Sequence, residues 1–99
     1  MLTISKSIEN GKATFALEGR LDTITAPELE EELNASLHDV SELTLDFSGL
    51  EYISSVGLRL LLTAQKTMNR QGSMKVVNVN ETIMEIFEVT GFLDFLTIE

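Results

Sequence analysis

Cysteine is absent from the 99 residues. That excludes disulfides and thiolate chemistry and fits a reducing compartment. Tryptophan is absent as well, and with one tyrosine and five phenylalanines the core has to be mostly aliphatic. Positive charge is scarce: seven Lys and Arg stand against sixteen Asp and Glu, for a formal net charge of −9. The seven, Lys6, Lys12, Arg20, Arg59, Lys66, Arg70 and Lys75, are spread along the chain. Nucleic acid demands clustered cations, so direct binding to it is not expected. An acidic surface instead suits solubility and steering toward a basic patch on a partner protein.

Other absences narrow the chemistry. The single histidine, His38, falls at the polar end of a helix pattern, where it interacts with the helix dipole rather than serving as a general base. No Gly-x-Ser-x-Gly elbow occurs, so no catalytic residue is assigned. With no Cys and one His, a metal site would need carboxylates, and Glu30-Glu31-Glu32 point to different helix faces. Neither glycine-rich nucleotide motif is present, and no cofactor is assigned. The N-terminus lacks a basic segment followed by an apolar run, so no signal peptide is expected. No apolar stretch approaches the ~20 residues of a membrane span. The expectation is a soluble cytoplasmic domain with no membrane contact, and a monomer, because no apolar seam is left after the core is built.

What is present reads as one domain over residues 1–99, with 43% hydrophobic residues. Leu2, Ile4 and Lys6 alternate with polar residues over 2–8, a half-buried strand. Asn10-Gly11 then predicts a tight hairpin, since both turn positions need positive φ. A second strand covers 13–18, with Gly19 ending it and Arg20-Leu21-Asp22 leading out. Thr25-Ala26-Pro27-Glu28 starts a helix, with Thr25 and Glu28 read as a capping box and Pro27 in the first turn. Leu29, Leu33 and Leu37 form its apolar stripe, and it ends near His38.

Leu43–Phe47 reads as a central strand, followed by a short polar loop. A second helix from about Val56 to Arg70 carries Leu58, Leu61, Leu62 and Met68 inward. A fourth strand covers 74–79, and Asn80 caps a third helix that stops at Gly91. The tail Phe92–Ile98 is apolar enough to add a last short strand. The order implies an α/β fold: a small mixed β-sheet whose parallel pairs are joined by crossover helices packed mainly on one face.

One junction stands out, where the apolar Leu45-Asp46-Phe47 strand gives way to Ser54-Ser55 and the helix beyond. Serine is a preferred N-cap, and capping alone accounts for most serines at such a place. Gly57 fits close packing, and Asp22 and Asp46 fit loop-anchoring carboxylates. A phosphoryl group on such a serine, however, would add roughly −1.5 to −2 charges at a helix N-terminus that tolerates them. It would alter an interface rather than the fold.

Four segments, Gly19-Arg20-Leu21-Asp22, Thr25-Ala26-Pro27, Leu45-Asp46-Phe47-Ser48-Gly49-Leu50 and Tyr52-Ile53-Ser54-Ser55-Val56-Gly57-Leu58-Arg59, resemble the STAS domain of bacterial anti-sigma factor antagonists. Val89-Thr90-Gly91 continues the resemblance after the third helix. It implies a STAS-like fold and a phosphorylatable serine two positions before the glycine, here Ser55, with Asp22 and Asp46 near it. Sporulation-type members carry Asp immediately before that serine, where this chain has Ser54, which makes Ser54 the alternative acceptor. The chain ends at Glu99, so the C-terminal helix of longer members is expected to be short or absent.

The function so implied is partner switching. The unphosphorylated domain binds an anti-sigma factor that is also a serine kinase, releasing a sigma factor, and a PP2C-type phosphatase reverses phosphorylation of Ser55. The expected partner surface comprises Asp22, Thr23, Asp46, Ser54, Ser55, Val56, Gly57, Leu58 and Arg59. The alternative is a ligand- or nucleotide-binding STAS module of a transport or signalling complex, with the loops around Asp22 and Asp46 reading a small molecule.

Overall fold

The structure, a computed structural model, describes residues 1–99. Strands β1 (Leu2–Glu9) and β2 (Lys12–Leu21) form an antiparallel hairpin. Its turn is Asn10-Gly11, with φ of 52° and 78°, the left-handed pair that this dipeptide adopts at little cost. Helix α1 (Ala26–Ser36) and a 3-10 turn (Leu37–Asp39) lead to β3 (Glu42–Ile53). Helix α2 (Ser55–Gln71), β4 (Ser73–Val77) and α3 (Glu81–Thr90) follow. The sheet order is β1-β2-β3-β4, with β3 parallel to both β2 and β4.

All three helices lie on one face. Along β2, Ala13, Phe15 and Leu17 are buried; along β3, Leu43, Leu45 and Phe47; along β4, Met74 and Val76. The intervening Thr14, Thr44 and Lys75 face the other way and are exposed or half-buried. That period of two is what a sheet covered on one side requires. From the helices, Leu29 and Leu33 of α1, Leu61 and Met68 of α2, and Ile83 and Phe87 of α3 meet the apolar face, with the Phe87 and Phe47 ring centroids 6.5 Å apart. Each such fully buried side chain contributes about 1.5–3 kcal/mol.

The strands run further than the alternation predicts. β2 continues through Arg20 and Leu21, which were expected to leave it as a loop. β3 continues six residues beyond Phe47, to Ile53, taking in the expected polar loop. The register explains why. Glu18 pairs with Gly49 and Arg20 with Tyr52, so an extra β3 residue is accommodated after Asp46 and again after Leu50. Each bulge resets the facing, and Phe47, Leu50 and Ile53 all point inward at a spacing of three. A reading based on period two stops at Phe47.

Two local expectations are also revised. Thr25 does sit at the N-cap of α1, but its side chain makes no capping bond and its backbone is already helical. The expected last strand is instead a 3-10 turn, Phe92–Asp94, followed by a single parallel bridge of Ile98 to Val76. Val76 N–H donates to Thr97 O (2.8 Å), and Glu99 N–H donates to Val76 O (2.9 Å). Asn80 and Gly91 behave as read: Asn80 Oδ1 accepts from Ile83 N–H at 2.9 Å, and Gly91 ends α3 at φ 79°.

Candidate functional site

The site is built where two parallel strands end together. Leu21 and Ile53, the last residues of β2 and β3, are register partners. Ser54 N–H donates to Leu21 O at 2.8 Å, carrying the pairing one step past the strand end. Ser54 is extended (φ −93°, ψ 174°), and its Oγ accepts from Gly57 N–H at 3.3 Å. Its carbonyl accepts the first helical bond, from Leu58 N–H at 2.9 Å. Ser54 is therefore the N-cap of α2. Its hydroxyl is committed to the fold.

Ser55 is the first residue of α2 and is exposed. Gly57 behind it is buried, and a Cβ there would lie 2.9 Å from both Ile53 Cγ1 and Leu21 Cγ and 3.1 Å from Leu21 O. The first turn of α2 therefore rests directly on the two strand ends, and this close approach holds Ser55 in place. Leu58 turns into the core, Val56 is half-buried, and Arg59 is exposed one helical turn beyond Ser55. The first turn of α2 contains no acidic residue, whereas α1 has Glu28 there and α3 has Glu81. The positive end of its dipole is uncompensated by side chains.

The loop from β2 to α1 borders this turn. Asp22 Oδ1 accepts from Ile24 N–H (3.0 Å), Thr25 N–H (3.0 Å) and the Thr25 hydroxyl (3.1 Å). Thr25 Oγ1 in turn accepts from Asp22 N–H (2.9 Å) and lies 2.7 Å from Arg20 O. Asp22, rather than the expected Thr25–Glu28 box, organises the entry to α1, because a carboxylate can collect several backbone donors at once. Those bonds, led by the Thr25 backbone N–H, hold its carboxyl below the ordinary carboxylate value. Thr23 and Ile24 form the exposed tip of the loop, Ile24 at 84%. Ala26 and Pro27 then share a groove of about 220 Å³ with Val56 and Arg59.

Asp46 is not part of this cluster, contrary to the expected proximity to the serine. It pairs with Ala16, five residue steps along β2 from Leu21, which puts it roughly 15–17 Å from the strand ends. Its Oδ1 accepts from Asn78 Nδ2 (3.0 Å) and Ser48 N–H (2.9 Å), fixing the exit of β4. Those two bonds, the Asn78 amide foremost, lower its pKa. Asp22, Thr23, Ser54, Ser55, Val56, Gly57, Leu58 and Arg59 are brought to one junction; Asp46 belongs to another.

Two features escaped the sequence reading. Arg20 stacks over the Tyr52 ring at 4.4 Å, and its Nε lies 3.8 Å from Asp22 Oδ2, beside the junction on the open face of the sheet. Only the doubly bulged register reveals that pair. Ile24 was legible in principle, as an apolar residue between Thr23 and Thr25 with no strand or helix period to bury it. No three His, Cys, Asp or Glu side chains gather as a metal group. No helix is long and apolar enough to cross a membrane.

Comparison with known proteins agrees with this architecture. BtrV of Bordetella bronchiseptica, whose name assigns it provisionally to the anti-sigma factor antagonists, is 34% identical over 92 residues, covering 90% of this chain and 78% of BtrV. The anti-sigma-B factor antagonist of Bacillus subtilis is 29% identical over 83 residues, covering 83% of this chain and 76% of its own. Among solved structures, the Bacillus anti-sigma factor antagonist SpoIIAA shares the fold at 16% identity. Its unphosphorylated form superposes with a TM-score of 0.84 over 98% of this chain and 88% of SpoIIAA, and its phosphorylated form with 0.77 over 98% and 91%. The model of the STAS domain matches residues 3–99, and the chain belongs to that family.

Proposed function

We propose that this STAS domain is an anti-sigma factor antagonist that acts by partner switching, with Ser55 as its phosphorylated residue. The observation that carries the reading is the division of labour at the head of α2. Ser54 spends its hydroxyl on Gly57 N–H, while the exposed Ser55 hydroxyl has no hydrogen bond within the protein. Curated relatives named as anti-sigma factor antagonists cover most of the chain, and SpoIIAA has been solved in phosphorylated form.

In this scheme the unphosphorylated domain binds an anti-sigma factor that is a serine kinase, and the sigma factor is set free. The kinase transfers the γ-phosphoryl group of ATP to Ser55 Oγ; ADP leaves and the hydroxyl proton passes to the kinase. The product carries roughly −1.5 to −2 additional charges at the N-terminus of a helix, where the dipole stabilises them and the fold survives. A partner packed on Ser55 would have to desolvate those charges, so it departs. A PP2C-type phosphatase restores the hydroxyl. The domain is then a binder and a substrate, with no catalysis of its own, working in the cytoplasm where the sigma factor works.

The test is incubation with the cognate kinase and Mg-ATP, followed by phosphate mapping by mass spectrometry. Modification at Ser55, abolished in Ser55→Ala and retained in Ser54→Ala, is the expected outcome. Phosphate confined to Ser54 or elsewhere overturns the assignment.

A further inference from the structure

Ile24 is 84% exposed, at the tip of a loop that leaves its side chain no place in the core. Single apolar residues on a surface are common and mean little by themselves. Ile24 differs in how it is held. Its own N–H and the N–H of Thr25 both donate to Asp22 Oδ1, and the Thr25 hydroxyl bonds the backbone of Arg20 and Asp22. Thr25 itself is only 3% exposed, so the loop is nailed down one residue after its exposed tip. The segment is also tied to α2 on both sides. Leu21 accepts the Ser54 N–H, and Ala26 and Pro27 share their groove with Val56 and Arg59. An isoleucine is thus presented in a fixed position at the same end of the sheet as the free Ser55 hydroxyl, three residues beyond Leu21 where Ser55 is two beyond Ile53.

We infer that Ile24 is the apolar anchor of the partner interface, inserted into an apolar pocket of the anti-sigma kinase whose rim is basic. The inference rests on the proposed function and specifies which side chain carries its affinity. A preorganised aliphatic side chain is buried on binding with no loop left to order, the condition under which a single residue dominates an interface. The rim follows from charge. Glu28 is exposed in the first turn of α1 just beyond the loop, and Glu30 lines the groove that Ala26 and Pro27 share with Val56 and Arg59, in a chain of net charge −9. A partner pocket rimmed by Lys or Arg complements them; an acidic rim would be repelled. Anchor and switch would then be adjacent but separate, Ile24 supplying affinity and Ser55 its removal.

The experiment measures binding of the full chain to its cognate anti-sigma kinase by surface-based kinetics, using wild type, Ile24→Ser, Ile24→Val and Val89→Ser. Val89, 81% exposed on α3, is the control for loss of an equally exposed aliphatic side chain elsewhere. Expected is a loss of about tenfold or more for Ile24→Ser, mainly as faster dissociation, near-complete retention in Ile24→Val, and no change in Val89→Ser. Melting curves of all four proteins should coincide, since Ile24 lies outside the core. Wild-type binding with Ile24→Ser within threefold of it overturns the anchor and leaves partner switching standing. Absence of any wild-type binding overturns both. A wild-type dimer that Ile24→Ser dissolves while kinase affinity is unchanged assigns the residue to self-association and also overturns the inference.

Discussion

Ser54 and Ser55 are chemically identical neighbours whose hydroxyls meet different surroundings. Ser54 Oγ caps α2 through Gly57 N–H, so Ser54→Ala should lower stability by about 1 kcal/mol in urea denaturation. Ser55→Ala, which removes no bond within the fold, should stay within about 0.5 kcal/mol of wild type. The sequence alone could place both serines at the helix start but could not say which was the cap; that depends on Ser54 being held extended by Leu21 O. Asp22 offers a second residue-scale expectation. Its folded pKa lies below the ordinary carboxylate value because it accepts from Thr25 and Ile24, so its contribution is fully present above the unfolded value. It is lost as pH falls from that value through the lower folded one. Thermal melts across that acid range should show a decline for wild type that is shallower in Asp22→Asn. An equal decline in both proteins would place the acid sensitivity at other carboxylates.

Helix α2 stands on the ends of β2 and β3, and Gly57 is the contact. Alanine has the higher helix propensity, yet Gly57→Ala would push a methyl group to within 2.9 Å of Leu21 Cγ and Ile53 Cγ1. Overpacking should dominate: about 1–3 kcal/mol of destabilisation in chemical denaturation, together with weaker kinase binding as the first turn shifts. The elements themselves were unequally readable. The Asn10-Gly11 hairpin and the Asn80 and Gly91 caps of α3 were legible, because each rests on the backbone preference of one or two residues. β3 was legible only to Phe47, since two bulges turn the spacing of its inward residues from two to three. The nearness of Asp46 to the serine was implied by the family resemblance, not by any strand pattern, and the continuous β3, with Asp46 paired to Ala16, carries it away from the strand ends.

At the scale of the whole molecule, charge and topology set the behaviour. Ser55→Asp adds one negative charge at the head of a helix with no acid in its first turn, so the melting temperature should move by no more than about 4 °C. The same variant should bind the kinase weakly, and calorimetry beside the melting curve would separate the two effects. A large drop in melting temperature would mean that Ser55 supports the fold after all. With a net charge of −9, association with a basic partner should slow as salt is raised, in stopped-flow measurements from low to high ionic strength. A salt-independent rate would remove electrostatic steering from the account.

The parallel pairing of β3 with both β2 and β4 has a kinetic corollary. Only β1 and β2 are joined by a tight turn; every other ladder must close across an intervening helix. Such distant closures slow folding, because chain entropy is lost before the contacts that offset it are gained. The bond from Ser54 to Leu21 O is one of these closures, so Ser55 acquires its fixed setting only when the central strands have met. A nascent or unfolded chain contains the same serine without that setting. An enzyme that recognises the junction therefore reads a completed fold, and a short peptide spanning residues 50–60 should be a poor substitute for the domain.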